Sequence, residues 1–318
     1  LLAIAAIVMS LLFVLVDLGR PDRFLHMAPS PIGWFNFPSS MLSWDVIVLN
    51  VYLLLNMHIC GYLLYMKYLG REPNKVWYLP FVFISIAWAI SIHTVTAFLL
   101  VGLVGRPFWN AAIVAPRFLG SAFTAGPGIL ILAFQIIDRV AGVKIGHSAM
   151  NLLRQIVTAA LLVNLFMLAC EAFKEFYSDA LHNASATYLF FGLHGNDRLV
   201  PWIWSALAME MVAAIILVIP PLARQMKYLN VACVLAIVGI WIEKGMGLII
   251  PGFIPTPLGN IIEYAPSSTE VRISLGIWAF GILLFSWMLR LAVPIMSGHF
   301  SKEAGIALHP KAAKEGGK

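Results

Sequence analysis

The chain has 318 residues, of which 61% are apolar and 11% charged, where soluble domains run at roughly half and a quarter. That balance excludes a soluble globular enzyme and implies an integral membrane protein, because several apolar runs are longer than the roughly 20 residues that cross a bilayer. The net charge of +6 comes from Lys and Arg gathered between and beyond the runs, the usual membrane pattern, and is no argument for nucleic acid.

Eight spans are predicted: Leu1 to Asp17, Ser43 to Tyr68, Pro80 to Val104, Phe118 to Asp138, Ala149 to Glu171, Trp202 to Leu222, Tyr228 to Ile250, and Arg272 to Met296. Proline, glycine, asparagine and charge clusters separate them. Runs this long and continuous exclude a β-barrel, whose strands alternate. The expected fold is all-α integral membrane, with the visible transmembrane helices as two four-helix bundles, 1–138 and 139–297, and a solvated cytoplasmic tail over 298–318. The chain opens on Leu1-Leu2-Ala3, already inside an apolar run, so the native N-terminus is expected upstream.

The first span stops at Asp17-Leu18-Gly19-Arg20-Pro21-Asp22-Arg23-Phe24. Gly19 can take the left-handed conformation that ends a helix, and Pro21 keeps it from resuming. An aspartate at a membrane boundary needs a partner, and Arg20 follows within one turn, so a helix stop with an Asp17–Arg20 ion pair is expected. Gly105-Arg106-Pro107-Phe108-Trp109 nearly repeats the pattern after the third span, which suggests two similar corners on one side.

Loop charges give the orientation. Lys67, Arg71, Lys75, Arg139, Lys144, Arg224, Lys227 and the tail lysines lie on one side, which reads as cytoplasmic. The longer, less cationic loops, including the one from Arg106 to Arg117, then lie on the outer face. They carry Trp34, Phe35, Phe37, Pro38, Phe108, Trp109 and Pro116, as an interfacial belt or as a docking surface or lipid-side entrance. Glu175 to Leu193 reads as a short surface helix with Phe176, Leu181, Leu189 and Phe190 on its apolar positions.

Cys60, Cys170 and Cys233 sit in or at the end of apolar runs without a CxxC pair. They read as packing residues, and the chain alone holds neither an iron-sulfur cluster nor a c-type haem.

Ionisable residues inside a membrane are rare and usually line a pathway. Asp45, in the first turn of the second span, either caps its helix against the dipole or accepts a proton beside a quinol hydroxyl. His93, in mid-span, either bonds a neighbouring helix or does chemistry. His58, deeper and near Asn50 and Asn56, suggests a polar track. Glu171, Glu210, Glu243 and Lys244 form a second set, as a proton relay or as packing pairs; Glu243 and Lys244, adjacent in sequence, are expected to point apart. Bis-histidine haem ligation by His58 and His93 would need matching depth, and their counted depths differ by about 6 Å at 1.5 Å per residue.

Asp17 to Phe24, Ser43-Trp44-Asp45, His93-Thr94-Val95-Thr96-Ala97-Phe98, Gly105-Arg106-Pro107-Phe108-Trp109-Asn110 and Ala115-Pro116-Arg117-Phe118 closely resemble the NrfD/PsrC family of membrane subunits. The motifs cover the first span to the start of the fourth; the second half agrees in span number and length. The resemblance implies a quinone-interacting subunit of a respiratory oxidoreductase in the cytoplasmic (inner) membrane, not active alone. It implies no haem, iron-sulfur cluster or metal of its own. A quinone, of menaquinone type, would bind in the first bundle near the outer face. It would exchange electrons with a ferredoxin-like iron-sulfur partner docked outside, alongside further cytochrome or catalytic subunits. Carried over residue by residue, the quinone site takes Asp17, Arg20, Asp45 and His93, with Asp45, His93 and Asp17 in the proton chemistry. His58, Glu171, Glu210, Glu243 and Lys244 are left for a proton path. The family also implies a ten-span form lacking its first helix or so. A secondary transporter and a b-type haem anchor stand as alternatives.

Overall fold

A backbone in hydrocarbon has no water to bond, so each apolar run must close its hydrogen bonds within itself as a helix. The computed structural model describes residues 1–27, 36–142, 146–177, 183–256 and 258–301, and these contain helices and turns with no strand. The α-helices are α1 (Leu2–Asp17), α2 (Met41–Tyr68), α3 (Lys75–Val101), α4 (Val114–Ala141), α5 (His147–Tyr177), α6 (Ala184–Phe190), α7 (Val200–Val218), α8 (Pro220–Ala223), α9 (Met226–Lys244) and α10 (Ser268–Met296). A π-helical turn, Gly245–Ile249, and a 3-10 turn, Pro251–Phe253, prolong α9. Among the described residues seven helices are long and apolar enough to cross a membrane: α2, α3, α4, α5, α7, α9 with its prolongation, and α10. The eighth predicted span is α1, bent by 115° from the 3-10 turn Pro21–Met27. The chain is an all-α integral membrane protein.

By contact the residues form two compact units, Leu1–Val95 with the chain from Pro266 onward, and Thr96–Ala265. The units follow contact and not chain order: α10 packs on α1 and α2, and α4 joins α5 and α9.

In the first unit α1 ends as expected, with Gly19 at φ +68°. The turn Pro21–Met27 then lies against both α1 and α2. Indole and imidazole groups tie α2 to α3: Trp88 Nε1 donates to Val48 O at 2.9 Å, and His58 Nε2 to Trp77 O at 2.9 Å. Helix α10 opens with a capping box, Ser267 N donating to Glu270 Oε2 at 2.6 Å and Glu270 N to Ser267 Oγ at 3.3 Å.

In the second unit helices α7 and α9 meet where Gly239 faces Ala206 and Glu210, a small residue permitting the approach that lipid alone would not drive. Two cores fill the unit. One gathers Phe108, Trp109, Tyr188, Leu189 and Leu248; the other holds Ile131, Val157, Leu161, Leu217 and Cys233.

Three expectations change here. Phe108 and Trp109 are 6% and 1% exposed, so that corner is core and neither a belt nor a docking surface. Trp109 Nε1 donates to Leu248 O at 2.8 Å, and Arg106 Nη1 to Phe253 O at 3.0 Å, which fastens the corner to the prolongation of α9. The surface helix from Glu175 to Leu193 is instead the last turn of α5 and the short α6, with Glu175 and Leu189 buried, because α5 continues a full turn past Glu171. Helix α4 starts at Val114, four residues before the predicted span, since a proline such as Pro116 is at ease in a first helical turn. Trp34, Phe35, Lys144, Leu181 and the tail beyond Ser301 lie outside the described residues.

Candidate functional site

The residues expected at a quinone site all lie in the first unit. Asp17 and Arg20 are exposed at the C-terminal end of α1, and the partner of Arg20 is Asp22, at 3.4 Å, in place of the expected Asp17. The left-handed Gly19 carries Arg20 past the end of α1 and beside the turn that holds Asp22. Asp45 is 2% exposed and lies in the second turn of α2, beyond the cap residue Ser40, so it is not the first-turn acid of the capping reading.

His93 is half-buried in α3, its Nδ1 donating to Ala89 O at 2.9 Å. That bond fixes the tautomer, and no described residue takes Nε2. The Trp88–Val48 and His58–Trp77 bonds define the level of α3 against α2. Asp45, three residues before Val48 in α2, and His93, five residues after Trp88 in the antiparallel α3, therefore lie within about 3 to 4.5 Å of the same depth. The two motifs read separately in the sequence share one level of the unit.

His58 is elsewhere. It sits on Phe81, with ring centroids 4.4 Å apart, and His93 is sixteen residues farther along α3 than Trp77, about 24 Å. One haem iron cannot reach both imidazoles. The counted difference of about 6 Å is too small because α2 runs on to Tyr68 while α3 starts back alongside Tyr62, whose hydroxyl accepts from Asn74 N at 3.0 Å. The polar track is not continuous either: the Asn50 and Asn56 side chains donate to Val46 O and Tyr52 O of their own helix.

The second unit buries a charge cluster. The Arg117 guanidinium of α4 bonds Glu171 of α5 through Nη1 and Glu243 of α9 through Nη2. Lys244 Nζ donates to Glu243 Oε1 at 2.9 Å and to Asn164 Oδ1 at 3.2 Å. Asn164 Nδ2 in turn donates to Glu243 Oε2 at 3.1 Å and Glu210 Oε2 at 3.3 Å. Arg117 is 2% exposed, and Asn164, Glu210 and Glu243 are wholly buried. Two cations thus face three carboxyl groups, and Glu210 Oε1 and Arg117 Nε have no hydrogen-bond partner among the described residues. An unpaired buried carboxylate is costly, so a proton or a water belongs in this arrangement.

Four of the five residues expected to carry protons, Glu171, Glu210, Glu243 and Lys244, come together here; His58, in the first unit, is not among them. The expected divergence of Glu243 and Lys244 is wrong, since the flexible lysine stem curls back onto its neighbour. Sequence reasoning misses Arg117 and Asn164 as cluster members. Arg117 has a signal, a cation one turn into an apolar run, hidden when its stretch is read as a loop; Asn164, a lone amide in an apolar run, has almost none.

Apart from the cluster, Tyr188 of α6 donates to Glu263 Oε1 at 3.3 Å, and Arg198 Nε pairs with Glu263 Oε2 at 2.8 Å. Burial, and then the charge of Glu263, pushes the Tyr188 phenol up to about 12. Among the described residues no three His, Cys, Asp or Glu side chains converge as metal ligands would.

Comparison with known proteins supplies the frame for this geometry. An Hdr-like menaquinol oxidoreductase integral membrane subunit of Archaeoglobus fulgidus is 24% identical, over 89% of this chain and 72% of its own length. A selenate reductase subunit of Mesobacillus selenatarsenatis is 23% identical, over 93% of this chain and 76% of its own. Residues 1–255 match the family described as "Polysulphide reductase, NrfD", which includes the Asp45 and His93 level and the whole buried charge cluster; the chain belongs to that family.

Proposed function

We propose that the chain is the quinol-oxidising or quinone-reducing membrane subunit of a respiratory oxidoreductase. It would exchange electrons between a menaquinone-type quinone and a ferredoxin-like iron-sulfur subunit docked on its outer face, within a complex of further catalytic or cytochrome subunits in the cytoplasmic membrane. The observation that carries the reading is the shared depth of Asp45 and His93, beside a menaquinol oxidoreductase subunit among the relatives.

Quinol oxidation releases two protons with two electrons. A buried carboxyl and an imidazole with an open Nε2 at one level are a base pair matched to that demand, and positioned proton acceptors contribute about 10²- to 10⁴-fold in rate. Asp17 and Arg20, exposed at the same end, suit the rim of the site and the passage of protons outward. Binding of a quinol analogue, followed by fluorescence quenching, and turnover of the assembled complex test this in Asp45→Asn and His93→Gln. Turnover is expected to fall about 100-fold or more in each. Unchanged affinity and turnover in both would remove the pair from the site.

Within the same reading, the cluster of Arg117, Asn164, Glu171, Glu210, Glu243 and Lys244 handles protons. Its charge count supports this: with two cations and three carboxyls, one added proton makes it neutral.

A further inference from the structure

Along its length the second unit is chemically asymmetric. Its buried charged groups gather toward one end. In the other half the same helices bury Ile131, Val157, Leu161, Leu217 and Cys233, and among the described residues every fully buried polar side chain of the unit lies nearer the cluster than this layer. Gln135 and Asn230 follow, eighteen residues beyond Arg117 along α4, about 27 Å. Their amides exchange bonds of 2.5 and 2.8 Å and so satisfy each other. Thr158, part-buried at this level, spends its hydroxyl on Arg154 O of its own helix at 2.8 Å.

Outward the cluster is not closed. A cavity with room for about one water (≈ 10 Å³) is lined by Arg117, Glu171 and Glu175 beneath Leu189 and Phe190. Glu175 stands one helical turn outward of Glu171 on the same face of α5 and is 5% exposed. Its Oε1 pairs at 3.1 Å with Lys174, whose side chain is 52% exposed. The carboxyl of Glu175 therefore touches the cavity on one side and a solvated ammonium on the other. Independently, the partnerless Oε1 of the fully buried Glu210 marks a place where a proton or a water is needed.

We propose that the cluster is a proton-loading site open to the outer face alone, with Glu175 as its door. Glu210 holds one exchangeable proton. It leaves as an O–H bond breaks at the carboxyl and forms on water in the cluster, passes along Glu243 and Glu171, and reaches Glu175, which releases it to solvent beside Lys174. Nothing is oxidised or reduced in this movement, and the apolar layer denies the proton the other side. Glu175 lies outside every site expected from the sequence. The inference rests on the proton-handling reading above and goes further by giving it a direction and an exit.

Infrared spectroscopy of the purified chain in lipid nanodiscs tests it without quinone turnover. The wild type is expected to show a protonated-carboxyl band that is lost in Glu210→Gln. After transfer to D2O the band shifts, and the shift should be at least tenfold slower in Glu175→Gln, which keeps shape but carries no proton. Gln135→Leu/Asn230→Leu should shift at the wild-type rate. A band lost in Glu210→Gln that exchanges equally fast without Glu175, or faster once the Gln135–Asn230 pair is opened, overturns the one-sided exit and leaves Glu210 as a proton holder. A band untouched by Glu210→Gln overturns the proton-handling reading itself.

Discussion

Gly239 of α9 lies so close to Glu210 of α7 that a Cβ on the glycine would stand 2.8 Å from the glutamate Cγ and 3.2 Å from Ala206 O. One small residue both lets the helices meet and sets where the buried carboxyl can be. Gly239→Ala is therefore expected to part the helices or push Glu210 off Asn164, at a cost of about 1–3 kcal/mol. Thermal unfolding in detergent measures the first effect, and the carboxyl infrared band the second. An alanine variant with unaltered stability and band would show that the contact is slack.

Arg117 is the only cation that bonds both Glu171 and Glu243 among the described residues. Arg117→Met strands Glu171 and leaves Glu243 to Lys244 and Asn164, and is expected to cost about 3–5 kcal/mol, whereas adding Glu171→Gln and Glu243→Gln should recover much of the loss. Arg117→Lys should not rescue, because one ammonium cannot present the guanidinium fork. Denaturant titrations of the four proteins decide it; equal stability of the single and triple variants would mean the carboxylates find other partners.

Tyr188 gives a pH signature outside the spans. Its phenol is raised from 10.0 to about 12, so the folded protein holds that proton more tightly than the unfolded chain does. The associated stability is whole below about pH 10 and drains away as pH rises through 12. Phenolate absorbance, as the difference between wild type and Tyr188→Phe, should appear near pH 12. Glu263→Gln should bring it part of the way back, since burial remains. Ionisation at the ordinary value would contradict the buried geometry.

The capping box at Ser267 predicts a smaller effect. Ser267→Ala frees the Glu270 amide and should lower stability by about 1 kcal/mol, and Ser267→Asp should restore it. A loss well above that would mean that Ser267 has a further role.

The spans are legible because hydrocarbon thickness imposes one length on every crossing, and composition alone reveals it. Their ends are harder. Pro116 reads as punctuation although it is a first-turn residue, and that misreading hides Arg117. The Ser267–Glu270 spacing marks the start of α10, ahead of the apolar run from Arg272 that hydropathy picks out. Lys244 defeats the helical-wheel expectation because helix geometry fixes the Cβ direction but not the reach of four methylenes. His58 falls at the wrong depth because counting from helix ends assumes that neighbouring helices turn at one level, and α2 overshoots α3. Which helices pack together, α10 with α1 and α2 and α4 with α9, depends on contacts far apart in the chain that no local pattern encodes.

The π-turn Gly245–Ile249 stands directly after Lys244 and presents Leu248 O to Trp109. A π-turn is in effect an α-helix that has taken in one extra residue. Excising Met246 would return the ladder to ordinary α-helix and leave what lies beyond close to its present facing, because five π residues turn through about the same angle as four α residues. The turn is thus a reserve of one residue: a single deletion should be borne within it but not in the regular part of α9, where it would swing everything beyond by about 100°, a contrast that a codon-by-codon indel scan would read out directly.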